Sequence, residues 1–96
     1  MLIIVTYDVS TSSSGGQKRL RKVAKICQNH GQRVQNSVFE CIVNTTQYTI
    51  LKNEILSIMD TEKDSIRFYR LSDNHHSKVE HFGVKESLDL EGPLIF

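Results

Sequence analysis

The stretch Ile3–Asp8, IIVTYD, is followed directly by Val9–Lys22, VSTSSSGGQKRLRK. From Leu2 to Tyr7 the strand-forming residues run without a polar break, as in a strand buried on both faces. Along such a strand Leu2, Ile4 and Thr6 point one way, and Ile3, Val5 and Tyr7 the other. Val9–Gly16 is rich in Ser, Thr and Gly and reads as a loop. The period then changes. Leu20, Val23, Ala24 and Cys27 fall at i, i+3, i+4 and i+7 within Gln17–His30, which predicts a helix with basic residues around its apolar stripe. Gly31 is expected to close it as a C-cap.

Further along, Arg33–Val43, RVQNSVFECIV, reads as two short strands or one sharply bent strand, with Val38 and Ile42 opposing Phe39, Cys41 and Val43. Asn44–Asp60 predicts a second helix, opened by a capping box of Asn44 and Gln47, with Tyr48, Leu51, Ile55 and Ile58 on its apolar face. Ser65–Leu71, SIRFYRL, is a further strand. KVEHFG is a shorter one, and the tail LDLEGPLIF ends apolar after Pro93. This order gives an α+β class: a ferredoxin-like βαββαβ sandwich with an extra C-terminal strand, in a single domain of residues 1–96. Two helices cover one face of a sheet, so the second apolar face needs a cover. A second copy of the chain, packed sheet against sheet as a homodimer, is the economical choice. The tail, residues 84–96, is expected to pack as a strand on the partner subunit, which would satisfy an otherwise sticky edge.

The chain has 96 residues, with 39% hydrophobic and 24% charged. That is ordinary for a globular protein, and a chain of this length buries only roughly 60–65% of its unfolded surface. The formal charge of +1 hides an asymmetry. Met1–Arg33 holds six basic residues and one acidic, whereas Val34–Phe96 holds six basic and ten acidic. A basic front half is a landing place for a polyanion. The segment MLIIVTYD lacks a basic n-region and is too short to span a bilayer. Cys27 and Cys41 are too far apart for a CxxC motif, so the expectation is a cytoplasmic protein with reduced thiols.

Asp8, ending a strand before a loop, can meet solvent and ligand; a turn-forming Asp bonding nearby amides is the simpler alternative. One carboxylate alone is a sparse Mg²⁺ site. If a twofold axis passes near the end of the first strand, both copies of Asp8 together supply two. Lys18, Arg19, Arg21, Lys22 and Lys25 crowd the start of the first helix. They are either a solvated face or phosphate contacts for nucleic acid. Their single sign and their position against the helix dipole favour the second. SSSGGQK lacks GxxxxGK[ST] spacing, which excludes a nucleotide-hydrolysing phosphate loop. It serves as a hinge or phosphate-contacting loop, or as a plain linker. His30, His75, His76 and His81 show no paired metal spacing, and Ser10 and Ser12–Ser14 have no His partner at a telling distance. Phe39 reads as a core strand residue.

Taken together, the strand ending TYD, the helix KRLRKVAK and the segment GQRVQNSVFEC resemble the CRISPR-associated protein 2 family. The resemblance continues through DSIRFYRL to DLEGPLIF and so covers essentially the whole chain. The loop TSSSGGQKRLRK and the ending resemble the variants of type I-C systems. The resemblance implies a ferredoxin-like homodimer whose C-terminal strand reaches the partner sheet. It further implies a Mg²⁺-dependent phosphodiesterase on single-stranded RNA or double-stranded DNA, with Mn²⁺ as a substitute metal. The dimer would bridge CRISPR integrase dimers during capture of new spacers. On the same footing Asp8 is the metal residue, Tyr7 its neighbour at the strand end, and Phe39 an aromatic linked to activity. Arg19, Arg21 and Arg33 are phosphate contacts by resemblance, alongside Lys18 and Lys22 of the basic helix. A DNA-binding scaffold with dispensable chemistry and a toxin-like ribonuclease are the rival readings.

Overall fold

The computed structural model describes residues 1–9, 15–71 and 78–84. Its elements run β1 (Leu2–Asp8), α1 (Gly16–Gln28), β2 (Gly31–Gln35), β3 (Val38–Ile42), α2 (Thr45–Ile58), β4 (Ser65–Leu71) and β5 (Lys78–Gly83). The strands form one sheet in the order β2-β3-β1-β4-β5, every neighbouring pair antiparallel. Two helices on a sheet of this order fit the ferredoxin-like fold, with β5 added at the edge beside β4 of its own chain. Of the tail expected to reach a partner, residues 84–96, only Val84 lies among the described residues.

Register divides β1 as its alternation requires. Ile3 stands between Cys41 and Arg70, Val5 between Phe39 and Phe68, and Tyr7 opposite Ile66. Ile3, Val5, Tyr7, Phe39, Cys41, Ile66 and Phe68 are all buried, packed with Val23, Ala24 and Cys27 of α1 and Tyr48, Leu51 and Ile55 of α2. Phe68 lies edge-to-face between Tyr48 (5.8 Å, 70°) and Phe82 (6.1 Å, 71°), a favoured aromatic geometry.

Helix α2 begins where its capping box predicts. Asn44 Oδ1 accepts from the Gln47 N–H at 2.7 Å, and Gln47 Oε1 accepts from the Asn44 N–H at 2.9 Å. The end of α1 differs from expectation. The helix stops at Gln28, and the Asn29 and His30 N–H groups return to the Lys25, Ile26 and Cys27 carbonyls. Gly31 is instead the first residue of β2. Its missing side chain is required by contact, because a Cβ there would lie 1.8 Å from the Glu40 carbonyl oxygen. Arg33–Val43 resolves into two strands joined at Asn36–Ser37, with a register shift between Arg33 and Gln35.

Among the described residues nothing covers the face away from the helices, and its composition is graded. Leu71, Leu2 and Ile42 form one row, and Val79, Tyr69, Ile4 and Glu40 the next. Then come His81, Arg67, Thr6 and Val38, and finally Gly83, Ser65 and Asp8. The apolar end is visibly uncovered: Ile42 is 69% exposed and Val79 55%. The opposite end carries the polar groups.

Candidate functional site

Asp8 ends β1 as the exposed residue of the strand, its side chain on the open face opposite Ser65. Its carboxylate has no hydrogen-bond or ion-pair partner among the described residues. The topology gathers several other groups at this end of the sheet. The β2–β3 turn arrives through the Tyr7 N–H, which donates to the Ser37 carbonyl at 3.0 Å. β4 starts here with Ser65, directly after Asp64, and β5 ends here, with the Val84 N–H donating to the Asp64 carbonyl at 2.8 Å. Helix α1 begins here as well, after Gly15 at φ +83°.

What fastens these elements is a buried carboxylate. Asp64 is fully buried, and the Tyr7 hydroxyl donates to its Oδ2. Arg19 donates from Nε to Oδ2 at 2.7 Å and from Nη2 to Oδ1 at 3.0 Å, and the Asp60 N–H adds a 3.0 Å bond. Burial alone would raise the Asp64 carboxyl, but Arg19, Tyr7 and the Asp60 amide outweigh it and hold the group below the usual carboxylate range. Burial first, then the hydrogen bond to Asp64, pushes the Tyr7 phenol well above its ordinary value.

The expected site residues therefore fall into two sets. Asp8 faces solvent at the polar end of the open face. A direct chemical role for Tyr7 needs its hydroxyl at that surface. Alternation instead turns Tyr7 to the helix side, where it is 1% exposed and bonded to Asp64. Phe39 is fully buried in the core. Arg19, expected at a phosphate, spends its guanidinium on Asp64, so it ties α1 to the loop before β4. Lys18, Arg21, Lys22 and Lys25 are exposed along α1. With Gly15 and Arg19, Lys18 and Lys22 border a groove of about 320 Å³ against Ser57 and Ile58 of α2. Arg33 holds the β2–β3 turn, donating from Nε to the Asn36 carbonyl at 2.7 Å and lying 5.6 Å from the Phe39 ring centroid.

Three residues at this end were given no site role from sequence: Asp64, Ser65, read only as a strand start, and His81, weighed only as a metal ligand. Asp64 directly precedes β4, Ser65 is its first residue, and His81 lies in β5. No local spacing links them to Asp8, since Tyr7 and Asp64 are 57 positions apart. His81 Nε2 is 3.0 Å from Ser65 Oγ and 2.9 Å from the Val84 carbonyl oxygen.

Residues 1–79 match the family described as CRISPR associated protein Cas2. The chain is similar to "CRISPR-associated endonuclease Cas2" of Halalkalibacterium halodurans, at 69% identity over 96 residues, spanning 100% of both chains. "CRISPR-associated endoribonuclease Cas2" of Nitratidesulfovibrio vulgaris is 57% identical over 95 residues, 99% of this chain and 93% of the relative. Among solved structures, Streptococcus pyogenes Cas2 at pH 6.5 superposes with a TM-score of 0.72 at 53% identity, covering 77% of this chain and 89% of that one.

Proposed function

Because this chain belongs to the CRISPR-associated protein Cas2 family and is an enzyme acting on nucleic acid, we propose that it is a Mg²⁺-dependent endonuclease of the machinery that captures new spacers. It works as a homodimer beside CRISPR integrase dimers in a type I-C-like system. The observation that carries this reading is the graded open face. An uncovered apolar end suits face-to-face pairing of two sheets, and Asp8 stands solvent-exposed at the polar end, where the basic helix begins.

The donor set fits a sparsely ligated hard cation. Among the described residues no cluster of three or more His, Cys, Asp or Glu forms a metal cage. Asp8 offers one exposed carboxylate, which suits Mg²⁺ held by one or two carboxylates with water and substrate phosphate for the rest. Mn²⁺, with the same preference for oxygen, can replace it. When bound, the cation polarises the scissile phosphate and lowers the pKa of an attacking water. The protein's own share is placement. Asp8 fixes the cleavage point, Lys18, Arg21, Lys22 and Arg33 take backbone phosphates, and Tyr7, Arg19 and Phe39 hold β1, α1 and β3 in register.

A second reading is favoured by the same sparse donor set: a DNA-binding bridge whose cleavage is weak or dispensable. Cleavage of matched single-stranded RNA and double-stranded DNA with and without Mg²⁺, by wild type and Asp8→Asn side by side, tests the first reading. The expected result is metal-dependent cutting that Asp8→Asn abolishes; cutting at full rate by a clean Asp8→Asn preparation overturns the site. In a spacer-acquisition assay, acquisition that survives Asp8→Asn but not charge reversal at Arg21 and Lys22 assigns the scaffold role.

A further inference from the structure

The row that ends the open face runs Asp8, Ser65, Gly83 across three strands. Gly83 brings no side chain to it, and cannot: at φ +100° its Cβ would lie 2.0 Å from the Asp64 carbonyl oxygen. His81, one pleat back on the same face, leans into the space, its Nε2 3.0 Å from Ser65 Oγ and 2.9 Å from the Val84 carbonyl oxygen. That carbonyl is an acceptor only, so Nε2 carries the proton, a tautomer assigned by its partner. The N–H is shared between the carbonyl and the hydroxyl. Ser65 Oγ therefore accepts on its β5 side, and its own proton is left to donate elsewhere. Directly opposed residues of an antiparallel pair have Cβ atoms about 4.5–5.5 Å apart, so the Asp8 side of the row is within reach of that hydroxyl.

We propose that the Ser65 hydroxyl donates a hydrogen bond to a non-bridging oxygen of the backbone phosphate cut at Asp8, with His81 as the positioning residue that aims it. The assignment rests on the nuclease reading above and adds to it a donor pair on β4 and β5. A phosphate brought to Asp8 meets a carboxylate of its own sign; a neutral donor beside it contributes attraction without another cation.

Single-turnover cleavage of labelled double-stranded DNA and single-stranded RNA with Mg²⁺ tests the assignment, alongside binding of the same oligonucleotides in Ca²⁺ and thermal melting. Ser65→Ala and His81→Leu should each slow cleavage about tenfold, the size of one lost hydrogen bond to a charged oxygen. Affinity should stay within about twofold and melting should be unchanged. The double variant should be no slower than either single one, since residues acting as a unit are not additive. His81→Gln, whose amide N–H reaches the same carbonyl and hydroxyl, should retain most of the rate. Wild-type cleavage by Ser65→Ala, or losses that multiply in the double variant, overturns the proposal. Should no preparation cut either substrate, the nuclease reading falls while this one is still decided by nuclear magnetic resonance. The His81 ring signals must shift when the DNA duplex is added with Ca²⁺, and the shift must vanish in Ser65→Ala; no shift in the wild type overturns it.

Discussion

Burying a carboxylate costs several kcal/mol unless its oxygens are satisfied, and both oxygens of Asp64 are. Arg19 takes each with one nitrogen, and Tyr7 and the Asp60 amide share Oδ2. The Asp64 carboxyl titrates below its ordinary value in the folded state, so its contribution to stability is present above the unfolded carboxylate range, near about 4. That contribution is lost as pH falls through the folded value, because the folded state then has to take up a proton it binds weakly. Asp64→Asn is expected to cost about 3 kcal/mol. In a chain of this size that lowers Tm by roughly 10–20 °C at pH 7. Melting curves between pH 7 and pH 3 should show a shallower acid loss in the variant than in the wild type; equal acid slopes would contradict this account of Asp64. Tyr7 shifts the other way, its phenol staying protonated through the neutral range and beyond. It is thus a hydrogen-bond donor and not a phenolate base. Tyr7→Phe should remove about 1 kcal/mol of stability and leave cleavage within about threefold; a larger loss of rate without loss of stability would return Tyr7 to the chemistry.

Among the described residues β5 lies at the sheet edge, held to other elements through the Glu80 side chain and through the backbone after Gly83. On the helix side, Glu80 accepts from the Tyr48 hydroxyl and from Lys52 Nζ at 3.0 Å and 3.3 Å. The Tyr48 bond first, then Lys52, pulls the Glu80 carboxyl below its usual range. With the Glu80 side chain 42% exposed, solvent screens that pair and its worth is small. The firmer attachment is at the far end, where Gly83 at φ +100° lets Val84 turn back onto the Asp64 carbonyl. An L side chain at positive φ costs about 1–2 kcal/mol, and the Cβ contact with Asp64 adds to it. Gly83→Ala should therefore speed amide exchange across Val79–Val84 about tenfold or more and leave β1 and β3 protected. Uniform protection across the sheet would mean that this turn does not anchor the strand.

For the whole molecule, the decisive fact is that two helices cover one face of a five-stranded sheet and leave Leu2, Ile4, Ile42, Leu71 and Val79 on the other. A second chain laid across the apolar rows would bury them, and a twofold axis close to the end of β1 would also bring the two Asp8 side chains together. The expected behaviour is a dimer by sedimentation, with a Tm that rises with protein concentration, as linked association requires. Ile42→Glu should yield a monomer whose Tm does not depend on concentration, and whose cleavage falls with dimerisation. A wild-type chain that stays monomeric at micromolar concentration would remove the shared-carboxylate site.

The sequence by itself determined the elements and the two faces, because periods of two and 3.6 residues are local properties of a backbone and can be counted along LIIVTYD, KRLRKVAKIC and TQYTILKNEIL. It also marked Asp8 as an acid at a strand end and α1 as basic. Which partners those residues take was decided only by the fold. Arg19 reads as one more cation among five until Asp64, 45 positions away, is brought beneath it. Tyr7 reads as the neighbour of Asp8 until the pleat turns it to the opposite face. Ser65 and His81 join Asp8 only through the β1–β4 and β4–β5 registers. A chain pattern encodes how each segment is shaped; long-range pairing depends on where the sheet sets those segments side by side, and no spacing along the chain records it.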